Sequence, residues 1–196
     1  GQTVTLNNSS LPFPTGQANL VPEPGFGPGE IAAATFDIPQ DLLPIRVTSV
    51  SVMWYSTFYS IFGPQPPTAQ EDILIYRGMP PNVVLIGSAD TPQMQDGGWN
   101  LFSFAQGLPD DLIITTGTKL TVGIRMDMTP LNQNGQAPAG NALAAAPAYD
   151  TTSTTQKRNP VFLTSTVNTV NGPRTGWMDY NDIVQANGQR RSTQGW

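Results

Sequence analysis

The side chains able to do acid–base chemistry in this 196-residue chain are carboxylates, and two pairs of them are adjacent: Glu71-Asp72 and Asp110-Asp111. A glycoside hydrolase needs two carboxylates facing each other across a bond, about 5–10 Å apart. Adjacent residues of a strand point to opposite faces, so neither doublet makes such a pair by itself. Asp110-Asp111 follows Leu108-Pro109 and reads as a turn, where Asp bonds to nearby backbone. The chain has no His and no Cys. That removes Ser-His-Asp and Cys-His arrangements, thiol nucleophiles, thiolate metal sites and disulfides. Asp37, Asp72, Asp90, Asp96, Asp127 and Asp182 offer oxygens of the kind Ca²⁺ takes, but no EF-hand or glycine-aspartate repeat organises them. The expectation is a protein that is not an enzyme and holds no metal or cofactor.

Aromatic rings are the other chemistry-bearing group. Tyr55, Phe58, Tyr59 and Phe62 lie at or just past the end of the strongest strand, and Trp99, Trp177, Tyr180 and Trp196 stand apart from the core runs. Tyr59 and Phe62 fall in the segment YSIFGPQPPTAQ, whose prolines forbid a strand. With Trp99 they are the candidates for contact with a ligand or partner, as stacking faces for a sugar or anchors for a protein. Trp54, Trp99 and Trp177 are equally suited to filling a core, and for each ring singly that is the commoner role. Asn7-Asn8-Ser9-Ser10 contains overlapping N-glycosylation sequons, and residues 151–155 form an O-glycan-like tract, both relevant only to an exported chain.

Fourteen acidic against nine basic residues give a net charge of −5, so the cationic face that nucleic acid requires is lacking, and an acidic surface is repelled by anionic membranes. Only 12% of residues are charged, about half the usual share, while Thr, Gln, Asn, Ser, Gly and Pro abound, a surface common outside the cell. The chain begins at Gly1 and has no run long enough to span a bilayer, so the expectation is an extracellular or cell-surface protein whose signal peptide has been removed.

The element that organises the rest is residues 45–58, IRVTSVSVMWYSTF, rich in β-branched and aromatic residues with no Gly or Pro. Val50, Val52 and Trp54 share one face, opposite Ser49, Ser51 and Tyr55, while Ile45 and Val47 run in the other phase, which predicts a bulge near Thr48. Residues 31–38, 71–77, 83–86, 97–105, 112–115, 119–127 and 161–167 read as further strands. In 119–127, Leu120, Val122, Ile124 and Met126 alternate with Thr121, Gly123 and Arg125; in 97–105, Asn100, Phe102 and Phe104 alternate with Trp99, Leu101 and Ser103. Residues 176–180 and 183–184 read as a last hairpin around Asn181-Asp182. Residues 2–6 suit a short isolated strand, and 7–30 hold five Pro and four Gly, which argue against regular structure. As a polyproline-like arm at about 3.1 Å per residue, 7–30 would reach roughly 70 Å. Residues 128–159 form a long loop with room for one helical turn near 141–145. This spacing predicts an all-β antiparallel sandwich, jelly-roll or Ig-like, at 31–196, with an extended N-terminal arm at 1–30.

Between Ala34 and Asp127, the succession ATFDIPQ, IRVTSVSVMWY, EDILIYRG, GWNLFSF and LTVGIRMD resembles the jelly-roll-like β-sandwich modules of exported bacterial proteins. That resemblance covers about half the chain, rests on strand order and character, and transfers no functional residue. Families of that look include carbohydrate-binding modules, adhesins and filament subunits. The first expectation is a secreted, non-catalytic structural protein that forms a filament or surface layer as a homo-oligomer, its arm residues Gln2, Val4, Leu6 and Phe13 acting as a donor strand for the next subunit. The plainer reading of the arm is that residues 2–6 complete their own sheet, and the alternative function is a carbohydrate-binding module or adhesin using Tyr59, Phe62 and Trp99. A capsid-type jelly roll ranks third, because its arm would be basic where it meets nucleic acid.

Overall fold

The computed structural model describes residues 3–6, 8, 20–22, 26–56, 64, 67–90, 92–104, 112–127, 146–150, 159–185 and 188. Among these, the period-two runs form β1 (Leu20–Pro22), β2 (Ile31–Asp37), β3 (Ile45–Arg46), β4 (Ser49–Tyr55), β5 (Thr68–Ala69), β6 (Asp72–Met79) and β7 (Asn82–Asp90). They are followed by β8 (Gln93–Met94), β9 (Gly98–Ser103), β10 (Ile113–Ile114), β11 (Lys119–Arg125), β12 (Ala146–Asp150), β13 (Pro160–Thr169) and β14 (Gly172–Asp179). The larger sheets run β14-β13-β2-β11-β6-β7 and β1-β12-β4-β9, with small β10-β3 and β5-β8 pairs beside them. Every ladder between these strands is antiparallel. The chain is all-β, compatible with a sandwich, and its six-stranded sheet is curled.

Alternation decides which face meets the main core. Leu120, Ile124 and Met126 join Ile73, Ile75, Val161, Met178, Val50 and Trp54 in one buried cluster, with Val122, Phe102 and Phe104 packed against it. On β9 the other face carries Leu101, 63% exposed. On β11 the other face carries Thr121, Gly123 and Arg125, and there a second cluster forms from Ile31, Ala33, Leu74 and Tyr76, with Val83, Phe162 and Trp177 against it. This second cluster reports the curl. Trp177 and Tyr76 belong to strands separated by β13, β2 and β11, a span of about 19 Å in a flat sheet. Their rings nevertheless meet edge to face with centroids 5.9 Å apart. Small residues between them, Ala33 and Gly123, leave the hollow over which the two rings close.

Five expectations are corrected. Residues 45–58 are not one bulged strand: β3 pairs with β10, whereas β4 pairs with β9 and β12. Val47 and Val50 are both buried with Thr48 and Ser49 exposed between them, because the chain changes sheets there. Residues 7–30 are not wholly irregular, since β1 pairs with β12; its proline occupies the end of a short edge strand, a position where the missing N–H does no harm. The long 128–159 segment likewise contributes β12. The last hairpin lies earlier than expected, joining β13 to β14 through Val170-Asn171 with Gly172 at φ 97°, and residues 180–182 form a 3-10 turn instead. Residues 3–6, expected as a strand, carry no ladder among the described residues. The helical turn expected near 141–145 lies outside the described residues.

Candidate functional site

The N-terminal segment is rooted on its own domain. Asn8 is 5% exposed and its Nδ2 donates to Oδ1 of Asn159 at 2.8 Å, and Leu6 packs against the main core. Val4 is 48% exposed. Because β1 is built into a sheet and Asn8 is buried, the free reach is short: residues 3–8 span at most about 17 Å fully extended. The 70 Å spacer expected from the prolines is not available. Gln2, Phe13, Tyr59 and Phe62 lie outside the described residues. Trp99 is half-buried on the outer face of β9, opposite Met53 and on the side of exposed Leu101.

The two edges of the six-stranded sheet differ. Natural sheets blunt their edges with prolines, charges, bulges and short strands. β14 carries Pro173, Arg174 and two glycines at positive φ, Gly172 and Gly176. β7 is nine residues long with no charge before Asp90, and its Val84 and Leu85 are 53% and 51% exposed. Among the described residues its protection is a bulge: Ile75 pairs with Gly87 but Tyr76 pairs with Leu85, so Ile86 is the extra residue. The bulge leaves residues 83–85 as a regular apolar edge with no strand on its outer side among the described residues.

At the other end of β6 the register builds a charged cluster that sequence reasoning missed. Arg125 sits opposite Asp72, and Asp72 sits opposite Asp90. Nη1 of Arg125 lies 3.0 Å from Oδ2 of Asp72 and 3.3 Å from Oε1 of Glu71. The doublet read as two opposed faces thus converges on one guanidinium. Burial works against the Arg125 charge, but the hydrogen bond with Glu71 and the charges of Asp72 and Glu71 outweigh it and raise its pKa. The Tyr76 phenol is pushed up by burial, with Arg125 opposing by its charge and a hydrogen bond.

Asp72 is raised from 3.8, first by burial, with Arg125 opposing and Glu71 and the hydrogen-bonded Asp90 adding to the rise. Hydrogen-bonded carboxyls are too close to straddle a glycosidic bond. The folded state therefore holds the Asp72 proton more tightly than the unfolded state. Its stabilising contribution is complete below 3.8 and is lost as pH rises through the raised folded value. Asp72→Asn should flatten the fall in denaturation midpoint that sets in as pH rises above 3.8; an unchanged slope would contradict the assignment.

Compared with known proteins, the chain matches no family model, no curated protein and no solved structure. Function must be read from its own residues.

Other buried polar groups are structural. Asp96, 8% exposed, accepts from Ser56 N at 2.7 Å and from Ser56 Oγ at 2.6 Å, tying the end of β4 to the β8–β9 turn. Asp96→Ala leaves both donors buried without this acceptor and should cost about 1–3 kcal/mol in chemical denaturation. Glu30, 4% exposed, accepts from the backbone and hydroxyl of Thr164 and from Gly27 N, joining the start of β2 to β13. Among the described residues, no three His, Cys, Asp or Glu side chains gather where a metal ion would fit, and no helix is long and apolar enough to cross a membrane.

Proposed function

We propose that this chain is a non-catalytic extracellular structural protein, a β-sandwich subunit that assembles with copies of itself into a filament or surface layer through its N-terminal segment. The observation that carries the reading is the pairing of opportunities: among the described residues, 3–6 carry no ladder and leave Val4 exposed, and β7 is the last strand of its sheet with Val84 and Leu85 exposed. A segment leaving one copy for another makes a head-to-tail contact, which gives fibres when the rotation does not close. Deleting residues 1–5 keeps Leu6, Asn8 and the β1 ladder in place, which deletion of 1–30 would not. Filaments or large particles seen by negative-stain microscopy should disappear in the shortened chain; their persistence would retire the reading.

A second reading is a carbohydrate-binding module or adhesin. Its support is Trp99, half-buried on the outer face of β9 beside exposed Leu101, a placement suited to stacking on a sugar ring. Trp99→Ala should abolish retention on a glycan array if this reading holds, and an intact chain that binds no glycan would remove it.

A further inference from the structure

The geometry points to residues 83–85 of β7 as the acceptor for residues 4–6 of a second copy, added antiparallel with Val4 opposite Leu85, Thr5 opposite Val84 and Leu6 opposite Val83. This inference rests on the self-assembly reading and names its surface. Length favours it: the regular part of the edge before the bulge at Ile86 offers residues 83–85, and residues 4–6 fill those three positions just short of buried Asn8. Polarity favours it as well. Residues 1–22 contain no charged side chain and neither do residues 78–89, so the new ladder buries no charge. Antiparallel addition continues the orientation of every ladder in the two larger sheets.

Side-chain phase gives the register. Leu85 pairs with Tyr76 and Val83 with Gly78, so both lie on the face that carries the second apolar cluster, and Val83 already packs against that cluster. In the proposed register Val4 and Leu6 enter the same row, while Thr5 lies beside Val84 on the opposite face. Val4 and Leu85, about half exposed in the single chain, cover one another. Leu6 exchanges its partly buried place on its own core for an equivalent apolar place on the neighbour, the low-cost logic of a swapped element.

The chain has no cysteine, so an engineered disulfide is unambiguous. V4C/L85C, oxidised under assembly conditions, should give a ladder of linked oligomers on non-reducing gels. V4C/V83C, which parallel addition would join, should give none. L85K should raise the concentration needed for assembly at least tenfold while leaving the thermal transition in place, because Leu85 is 51% exposed at an edge. Val4→Pro, which removes from the segment the N–H that faces Leu85, should do the same. Wild-type assemblies in which V4C/L85C does not link, links only within one chain, or in which both L85K and Val4→Pro assemble normally would overturn the register while leaving self-assembly standing. A wild-type chain that stays monomeric would overturn both.

Discussion

Trp54→Ala should lower the stability of this protein by about 3–5 kcal/mol, the largest single-residue effect expected. Trp54 is 2% exposed, lies next to the end of β4 and belongs to the cluster joining the two larger sheets. Its neighbours come from two hydrogen-bonded sheets and can close only part of the hole left by an indole. A loss of that size is a large share of the 5–15 kcal/mol typical of a folded domain. The contribution is one of volume and not of hydrogen bonding, since the indole Nε1 is buried with no partner among the described residues. Trp54→Phe, which keeps a ring and discards that donor, should therefore cost much less, below about 1.5 kcal/mol. Urea denaturation of the two variants checks the pair of values, and equal losses would show that the N–H matters after all.

Gly123→Val should cost about 3 kcal/mol, at the top of the range for overpacking. A Cβ built on Gly123 would stand 2.7 Å from Cγ2 of Ile31 and 3.2 Å from Cβ of Ala33, and valine adds two further methyls. These neighbours line the hollow over which Trp177 and Tyr76 meet, so relief requires the sheet to flatten and the rings to part. Loss of near-ultraviolet circular dichroism together with the drop in melting temperature is the expected signature. A stable variant with an unchanged aromatic signal would mean that the curl does not depend on a small residue here.

Much of this was legible in the sequence because period two is a local property. The alternation of Leu120, Val122, Ile124 and Met126 against Thr121, Gly123 and Arg125 became two faces meeting two apolar clusters. Asn100 and Phe102 turned inward and Leu101 outward, as their spacing required. Partner choice is not local, and there the reading stopped. Nothing in residues 119–125 announces that β11 lies between β2 and β6, so the convergence of Arg125 on Glu71 and Asp72 could not be foreseen. Proline misled at Pro22, which ends an edge strand, and at Pro147, which sits within β12 between β1 and β4. The candidate edge was hidden for the same reason. Residues 83–86 read as an ordinary strand, and only the order of the sheet shows that β7 is terminal and that Val84 and Leu85 lie exposed.

Sedimentation velocity of the intact chain, run over a hundredfold range of concentration beside a chain lacking residues 1–5, tests self-assembly most directly. The account predicts that the intact chain shifts to large, polydisperse species as concentration rises, while the shortened chain sediments as a folded monomer throughout. Two superimposable monomeric profiles would contradict it.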